Sequence, residues 1–265
     1  MAGQNIMNTH FDLNGSQLKD YGLDLIDVDW LKQLKKETLA RLKTQSIPSK
    51  KDEEWRYTNI EPLIQKCFEL AAKNSISNLK KDKPFIQKHS DNNIFIYYAD
   101  GHFCFMDNLP SYIKTLRTSE DQMIFQTLLN YDVEKIHTPF ADLNTLMLSD
   151  VLMIETLKNQ KIDATIHIII CSDVEQNISP RLLVQLRENS SIRIFEHYLT
   201  SNSCVINSLT DINCEKNSQL DYYKIIDEQE QGYHLSLSNI RLARNSYLNL
   251  FSWDSGANIS RNNIN

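Results

Sequence analysis

The sequence is poor in the two usual turn formers, with 6 glycines and 6 prolines in 265 residues. That is well under half their ordinary share, so the corners of the fold must be built from something else. Asparagine is abundant and tolerates the left-handed backbone conformation better than most residues. Long apolar runs are also missing. Nothing approaches the roughly 18 residues needed to span a bilayer as a helix, which excludes an integral helical membrane protein. The opening stretch Met1–Gly15 has neither a charged start nor an apolar segment, so it does not read as an export signal. Positive charge is scarce: 28 Lys and Arg stand against 34 Asp and Glu, for a net charge of -6. A long-range basic field for nucleic acid is therefore absent. The five cysteines, Cys67, Cys104, Cys171, Cys204 and Cys214, are odd in number and none pair as CxxC. Free thiols in a reducing cytoplasm are the simplest reading. There is no GxxxxGK[ST], GxGxxG or HExxH, so ATP hydrolysis by a P-loop is not expected. What is present is ordinary: 41% hydrophobic and 23% charged residues, which excludes disorder throughout.

Hydrophobic spacing divides the chain. Leu31, Leu34, Thr38 and Leu42 share one face of a predicted helix over 29–43, with Asp27 or Asp29 as its cap and Pro48 past its end. A second helix is expected over 61–72, with Pro62 in its first turn, and a polar linker over 74–92. Ile94 to Met106 reads as a hairpin turning at Ala99-Asp100-Gly101. Residues 111–135 read as helix, with Leu116, Phe125, Leu128 and Leu129 inward. After Pro139 the texture becomes β, with Ile166–Ile170 a run of strand length.

A repeat is the most informative feature. Asn-Ser pairs stand at 189–190, 217–218 and 245–246, each 28 residues after the last. Val184, Ile212 and Ile240 lie five residues before each Asn, and Leu186, Cys214 and Leu242 three before. Ile192, Leu220 and Leu248 follow three after, and Ile194, Tyr222 and Leu250 five after. Alternation means strands and a fixed period means a solenoid. Two strands and two corners fill one period, which predicts a parallel β-helix whose coils pair with the coils above and below. Leu186, Cys214 and Leu242 are expected in one buried column. The competing reading, chance agreement among antiparallel strands, needs three copies to fall into register by accident. The period does not extend before residue 180, so earlier coils are irregular or absent.

Candidate ligands are Cys204, Cys214, His197 and His234. Cys214 occupies an inward slot of the repeat, and His234 follows Ile206 by one period, so both read as core. Cys204 with His197 is a weaker metal hint, because no third ligand has sensible spacing. Asp211 and Asp221 flank one corner and suit an ion or a sugar, as in a polysaccharide-active β-helix, or simply a solvated face. Lys50-Lys51-Asp52-Glu53-Glu54 mixes both signs and reads as an exposed turn.

Four segments, in order, carry a family resemblance. Pro48–Thr58, with Trp55-Arg56-Tyr57-Thr58 at its end, resembles the tryptophan segment near the N-terminus of the SufD branch of the SufB/SufD family, part of the SUF iron–sulfur cluster assembly machinery. Phe140–Thr145, Pro180–Val184 and Ser255–Asn262 resemble the family's core. Ser149-Asp150-Val151 departs from the family's DG turn at that place.

The resemblance implies a non-enzymatic, cytoplasmic scaffold of α+β class: an N-terminal helical region, a right-handed parallel β-helix and a C-terminal helical domain. It implies pairing with SufB through the β-helix and binding of the ATPase SufC through the C-terminal domain. The division expected is 1–92 helical region and linker, 93–138 hairpin and helix, and 139–265 partial β-helix. The family's cluster-assembly histidine and SufC-binding helices have no counterpart before residue 265, which reads as truncation. No catalytic, cofactor-binding or metal residue is carried over, and Trp55 is expected to anchor the N-terminal helices. A last coil without cap or partner would expose strand edges, so self-association is expected. Two other readings stand beside this one: a carbohydrate-active β-helix enzyme, and a bare solenoid interaction module.

Overall fold

The computed structural model describes residues 28–64, 66, 92–99, 101–105, 108–135, 138–172, 175–200 and 203–265. Helix α1 (Asp29–Leu42) turns Leu31, Leu34, Lys35, Thr38 and Leu42 inward, the predicted face with Lys35 added. The capping expectation is corrected. Val28 occupies the N-cap in an extended conformation without a side-chain bond, and Asp29 lies in the first turn, where a carboxylate still favours the helix dipole. Residues 61–64 are helical as expected; most of the remaining range to 72, and nearly all of the 74–92 linker, lie outside the described residues.

The hairpin is present as β1 (Asn93–Ala99) and β2 (His102–Cys104), paired antiparallel. Gly101 has a φ of 79°, and a Cβ there would stand 2.8 Å from the Ser149 hydroxyl, so both backbone and space require glycine. The expected helix over 111–135 is only half right. Ile113–Thr115 forms β3, antiparallel to β4 (Leu152–Glu155), and helix α2 spans Gln122–Lys135. Ile113 and Thr115 are buried on either side of half-buried Lys114, a strand alternation that outweighs the helical spacing further on. Leu116, Phe125 and Leu129 are buried and Leu128 packs partly against them. The expectation of β-structure from Pro139 is likewise corrected, because Pro139–Met147 forms helix α3. Thr138 is its N-cap and accepts from the Ala141 amide, and Pro139 sits where its missing N–H does no harm.

From there the chain winds into a parallel β-solenoid of about four turns. The remaining strands are β5 (Lys161–Ser172), β6 (Asn177–Ile178), β7 (Arg181–Leu186), β8 (Ser191–Thr200), β9 (Val205–Cys214), β10 (Gln219–Asp227), β11 (Tyr233–Leu242), β12 (Tyr247–Ser255) and β13 (Ile259–Ile264). One sheet runs β12-β10-β8-β5-β1-β2 and the other β13-β11-β9-β7-β4-β3. The repeat is the register itself: Leu220 pairs with Ile192 and with Leu248, and Ile212 with Val184 and Ile240.

The Asn-Ser corners explain the shortage of glycine. Asn189, Asn217 and Asn245 have φ of 59°, 57° and 57°, as predicted, and Asn159 joins them at 63°. Asn217 Nδ2 donates to Asn189 Oδ1 at 3.0 Å, and Asn189 Nδ2 to Asn159 Oδ1 at 2.9 Å. The serine that follows closes each corner: Ser190, Ser218 and Ser246 donate to the carbonyls of Arg187, Glu215 and Ala243 at 2.6, 2.6 and 2.7 Å. The earlier coil escaped the repeat because the pairing of β5 with β8 shifts between Lys161 and Thr165, and Gln160 replaces the corner serine.

The expected column holds for two of its three members. Leu186 and Cys214 are fully buried, but Leu242 is 52% exposed. Leu242 pairs with Cys214 of β9 on one side, but on the other the pairing with β13 reaches only Ser238 opposite Ile264, short of Leu242.

The helices lie on the outer face of the second sheet. Trp55 is buried beside Phe140 (centroids 5.4 Å apart), with Leu42, Ile60, Leu63 and Leu143 around it. The Arg261 guanidinium stacks 4.2 Å over its indole and donates to the Glu54 carbonyl. Trp55 is thus the expected anchor, whereas Tyr57 is 91% exposed. Arg41 bridges α1 to Asp142 of α3 through both carboxylate oxygens. Beneath α3, buried Arg181 pairs with Asp211 at 3.0 Å, and Asn144 donates to the Pro180 and Asn207 carbonyls.

Asn217→Ala should destabilise the chain by about 1–2 kcal/mol through left-handed strain, plus the lost amide rung. Asn217→Gly should recover most of the strain component. Equilibrium urea unfolding of the two variants checks this, and equal losses would contradict it.

Candidate functional site in the solenoid lumen

The interior of the solenoid changes along its axis. Its first coils are apolar: Ile94, Ile96, Ile166, Ile168, Leu182, Val184 and Ile194 fill the space between the sheets. In β8 and β10 the same inward slots then carry charge. Ile192 and Ile194 are followed by Glu196 and Tyr198, and Leu220 and Tyr222 by Lys224 and Ile226, all buried.

Glu196 and Lys224 occupy one slot of successive coils, so the register sets them face to face at 3.2 Å, each nearly inaccessible to solvent. The Tyr198 hydroxyl donates to Glu196 Oε1 at 2.6 Å and the Tyr222 hydroxyl donates to Oε2. Lys224 Nζ donates across the lumen to Ser236 Oγ at 2.6 Å. Burial opposes charge on Glu196, but Lys224 and the two tyrosine donors outweigh it and hold the carboxyl below its ordinary pKa. Burial, and next the Glu196 charge, push both tyrosines well above theirs. A second polar pair lies beside this one. His234 Nδ1 meets Glu228 Oε1 at 2.7 Å, and the imidazole stands edge-on to Tyr198 with centroids 4.5 Å apart.

These positions settle the sequence candidates. His234 and Cys214 point inward and are fully buried, as the repeat predicted. Cys204 is buried too, whereas His197 lies on the outer face of the first sheet, so the suggested Cys204–His197 pairing does not form. Burial raises the Cys204 thiol above its ordinary pKa and pushes Cys214 up to about 11. Thiols held protonated are poor ligands and poor nucleophiles. Among the described residues no three His, Cys, Asp or Glu side chains gather as metal ligands do. Asp211 and Asp221 are on different sheets. The first is buried against Arg181; the second stands 3.5 Å from Arg193 on the outer face. They form no joint ion or sugar site. At the departure from the DG turn, Asp150 is buried and ties three segments, accepting from the amides of Phe103, Arg117 and Val151 at 2.9, 3.2 and 2.8 Å.

The Glu196–Lys224 pair was missed at the sequence level, although its signal was present: carrying the alternation two residues past Ile194 and Tyr222 places opposite charges in one inward slot.

Comparison with known proteins gives two matches in the same order as the structure. Residues 16–103 match the SufBD protein N-terminal region, and residues 169–265 match the SUF system FeS cluster assembly SufBD core domain. Together they take in more than two thirds of the chain. The chain belongs to the SufBD family. Among the curated proteins, an iron–sulfur cluster assembly SufBD family protein of Synechocystis sp. (strain PCC 6803) is 24% identical over 237 residues, covering 82% of this chain and 52% of that protein. The chain thus spans about half the length of the relative it matches. The SufBD core match begins inside β5 and takes in every coil with the 28-residue register, the polar lumen included. No helix among the described residues is long and apolar enough to cross a membrane.

Lys224→Met leaves Glu196 charged, buried and unpaired, and should destabilise the chain by about 3–5 kcal/mol. Adding Glu196→Gln should recover a large part of that loss. Because the folded carboxyl titrates below its unfolded value, its contribution is fully present above about pH 4.5 and lost as pH falls through the folded pKa. Urea unfolding of single and double variants at neutral and acidic pH measures both effects; a double variant no more stable than Lys224→Met would contradict the pairing.

Proposed function

We propose that this SufBD family protein is a SufD-type, non-catalytic scaffold subunit of a SUF iron–sulfur cluster assembly complex, pairing with a SufB-like subunit and engaging a SufC-like ATPase. The observation that carries the reading is the order of two family regions on one chain, an N-terminal region and a core, with the core folded as a regular parallel solenoid. The tryptophan segment favours the SufD branch, and it does structural work by fastening the N-terminal turn to α3 and β13. The described cysteines support a scaffold role over a cluster-holding one. Cys204 and Cys214 are buried with raised pKa, and Cys104 and Cys171 lie with Tyr97 and Ile169 in a separate cluster on the first sheet. The nascent cluster is cargo of the assembly, and its ligands on this reading come from elsewhere in the complex.

Co-expression with the SufB-like and SufC-like proteins of the same organism is the test. The tagged chain should bring down the SufB-like subunit in stoichiometric amount, and the ATPase only where that subunit carries it. Alone, after anaerobic reconstitution with iron and sulfide, it should show no stoichiometric cluster absorbance. Failure to capture the SufB-like protein would favour a solenoid interaction module outside cluster assembly. A cluster on the isolated chain, lost on Cys204→Ser or Cys214→Ser, would overturn the assignment of the thiols.

A further inference from the structure

The outer face of the first sheet carries a ladder of rings one per strand. Phe95 on β1, His167 on β5, Phe195 on β8 and Tyr223 on β10 occupy one register position. Their centroids are 4.9, 5.4 and 4.4 Å apart and successive planes differ by 17°, 21° and 12°. His197, two residues along β8, joins from the side: its Nε2 lies 3.3 Å from His167 Nδ1. The two imidazole centroids are 5.6 Å apart and their planes differ by 21°. That separation is close to the nitrogen gap plus the two ring radii, so the facing nitrogens lie between the ring centres and nearly in line. This is the geometry of an N–H···N hydrogen bond, not of two lone pairs converging on one metal ion.

The hydrogen positions follow from the third member. His167 Nε2 lies 3.0 Å from Asn93 Oδ1, an acceptor, so Nε2 carries the hydrogen and Nδ1 accepts. His197 Nε2 must then donate to His167 Nδ1, which leaves His197 Nδ1 as the pair's unprotonated nitrogen. We propose that His167 and His197 form a two-step proton switch on this face: a first proton enters at His197 Nδ1 with the relay to Asn93 intact, and a second goes to His167 Nδ1, breaks the bond between the rings and opens the ladder.

The surroundings favour a stepwise response. Among the described residues, β1 presents Asn93, Phe95 and Tyr97, uncharged at neutral pH. β8 adds Arg193, paired with Asp221 of β10, and β10 adds Tyr223. Lys161 and Asp163 of β5 lie four or more residues from His167. Glu196 faces through the sheet but is held by Lys224. Burial lowers the pKa of His167; burial, then His167, lowers that of His197, against a smaller upward pull from Glu196. Both neutral forms are thus favoured by folding. Their contribution is present above the unfolded histidine value near 6.5 and is lost as pH falls through the folded values.

The test is imidazole ¹⁵N NMR of the full chain between pH 8 and 4. Coupled sites should titrate in two steps separated by at least about one unit. The first should appear mainly at His197 and the second should coincide with shifts of the Phe195 and Phe95 rings. In His197→Gln the His167 signal should collapse to a single step, with far-UV circular dichroism confirming the fold. Asn93→Ala, at the far end of the relay, should free the His167 tautomer and narrow the gap between the steps. Independent titration of both histidines in one ordinary step, or a His167 curve unmoved by both substitutions, would overturn the proposal.

Discussion

The structure depends on one backbone constraint: each coil must turn the same corner at the same place, so that its strands meet the previous coil in register. A left-handed residue at a fixed position does this, and asparagine supplies it while offering an amide to the coil beside it. The line Asn159, Asn189, Asn217 and Asn245 marks that corner. Because side chains alternate with period two, one slipped residue would turn every inward side chain outward. The corner therefore fixes more than a turn. It decides that Ile192 faces Leu220, that Glu196 faces Lys224, and that Phe195 stacks on Tyr223.

Once register is fixed, the same slot can carry very different physics in successive coils. Near β1 and β5 the lumen is filled by isoleucines, which need nothing from their neighbours but shape. In the coils of β8 and β10 it holds an ion pair whose two charges are buried completely. Such a pair is weak evidence for stability, since desolvation offsets much of the attraction. It also bears on register: a coil slipped by one residue would turn its own charge outward and leave the other unpaired in the lumen. The lumen thus carries a register check that an all-isoleucine core lacks.

The sequence revealed the part of the fold that repeats and obscured the part that does not. The 28-residue period, the corner asparagines and the inward setting of Cys214 and His234 could be read directly, because each is a position recurring at a fixed distance. The helix at Pro139 was hidden among β-rich neighbours, although Thr138 and Pro139 are an ordinary start signal. The strand at Ile113 was hidden because three residues are too few to show a period. The earlier coil was masked by a bulge in β5. Leu242 was misplaced because pattern reports which way a side chain points, not whether a further coil covers it. The His167–His197 contact lay beyond reach, because the two residues are 30 apart in sequence and meet only through the bulged pairing.

The clasp between Glu54-Trp55 and Arg261 has a consequence for the order in which the molecule can be completed. Its two halves are 207 residues apart. At about 5–20 residues per second, a ribosome separates their appearance by roughly 10–40 s. Through that interval the indole has the Phe140 ring available only after more than eighty further residues, and the guanidinium only after about two hundred. The N-terminal turn must therefore wait, with a large apolar surface unsatisfied, while the coils accumulate one upon another. Closure over β13 follows the coils between them, so the tryptophan segment is made early and locked late.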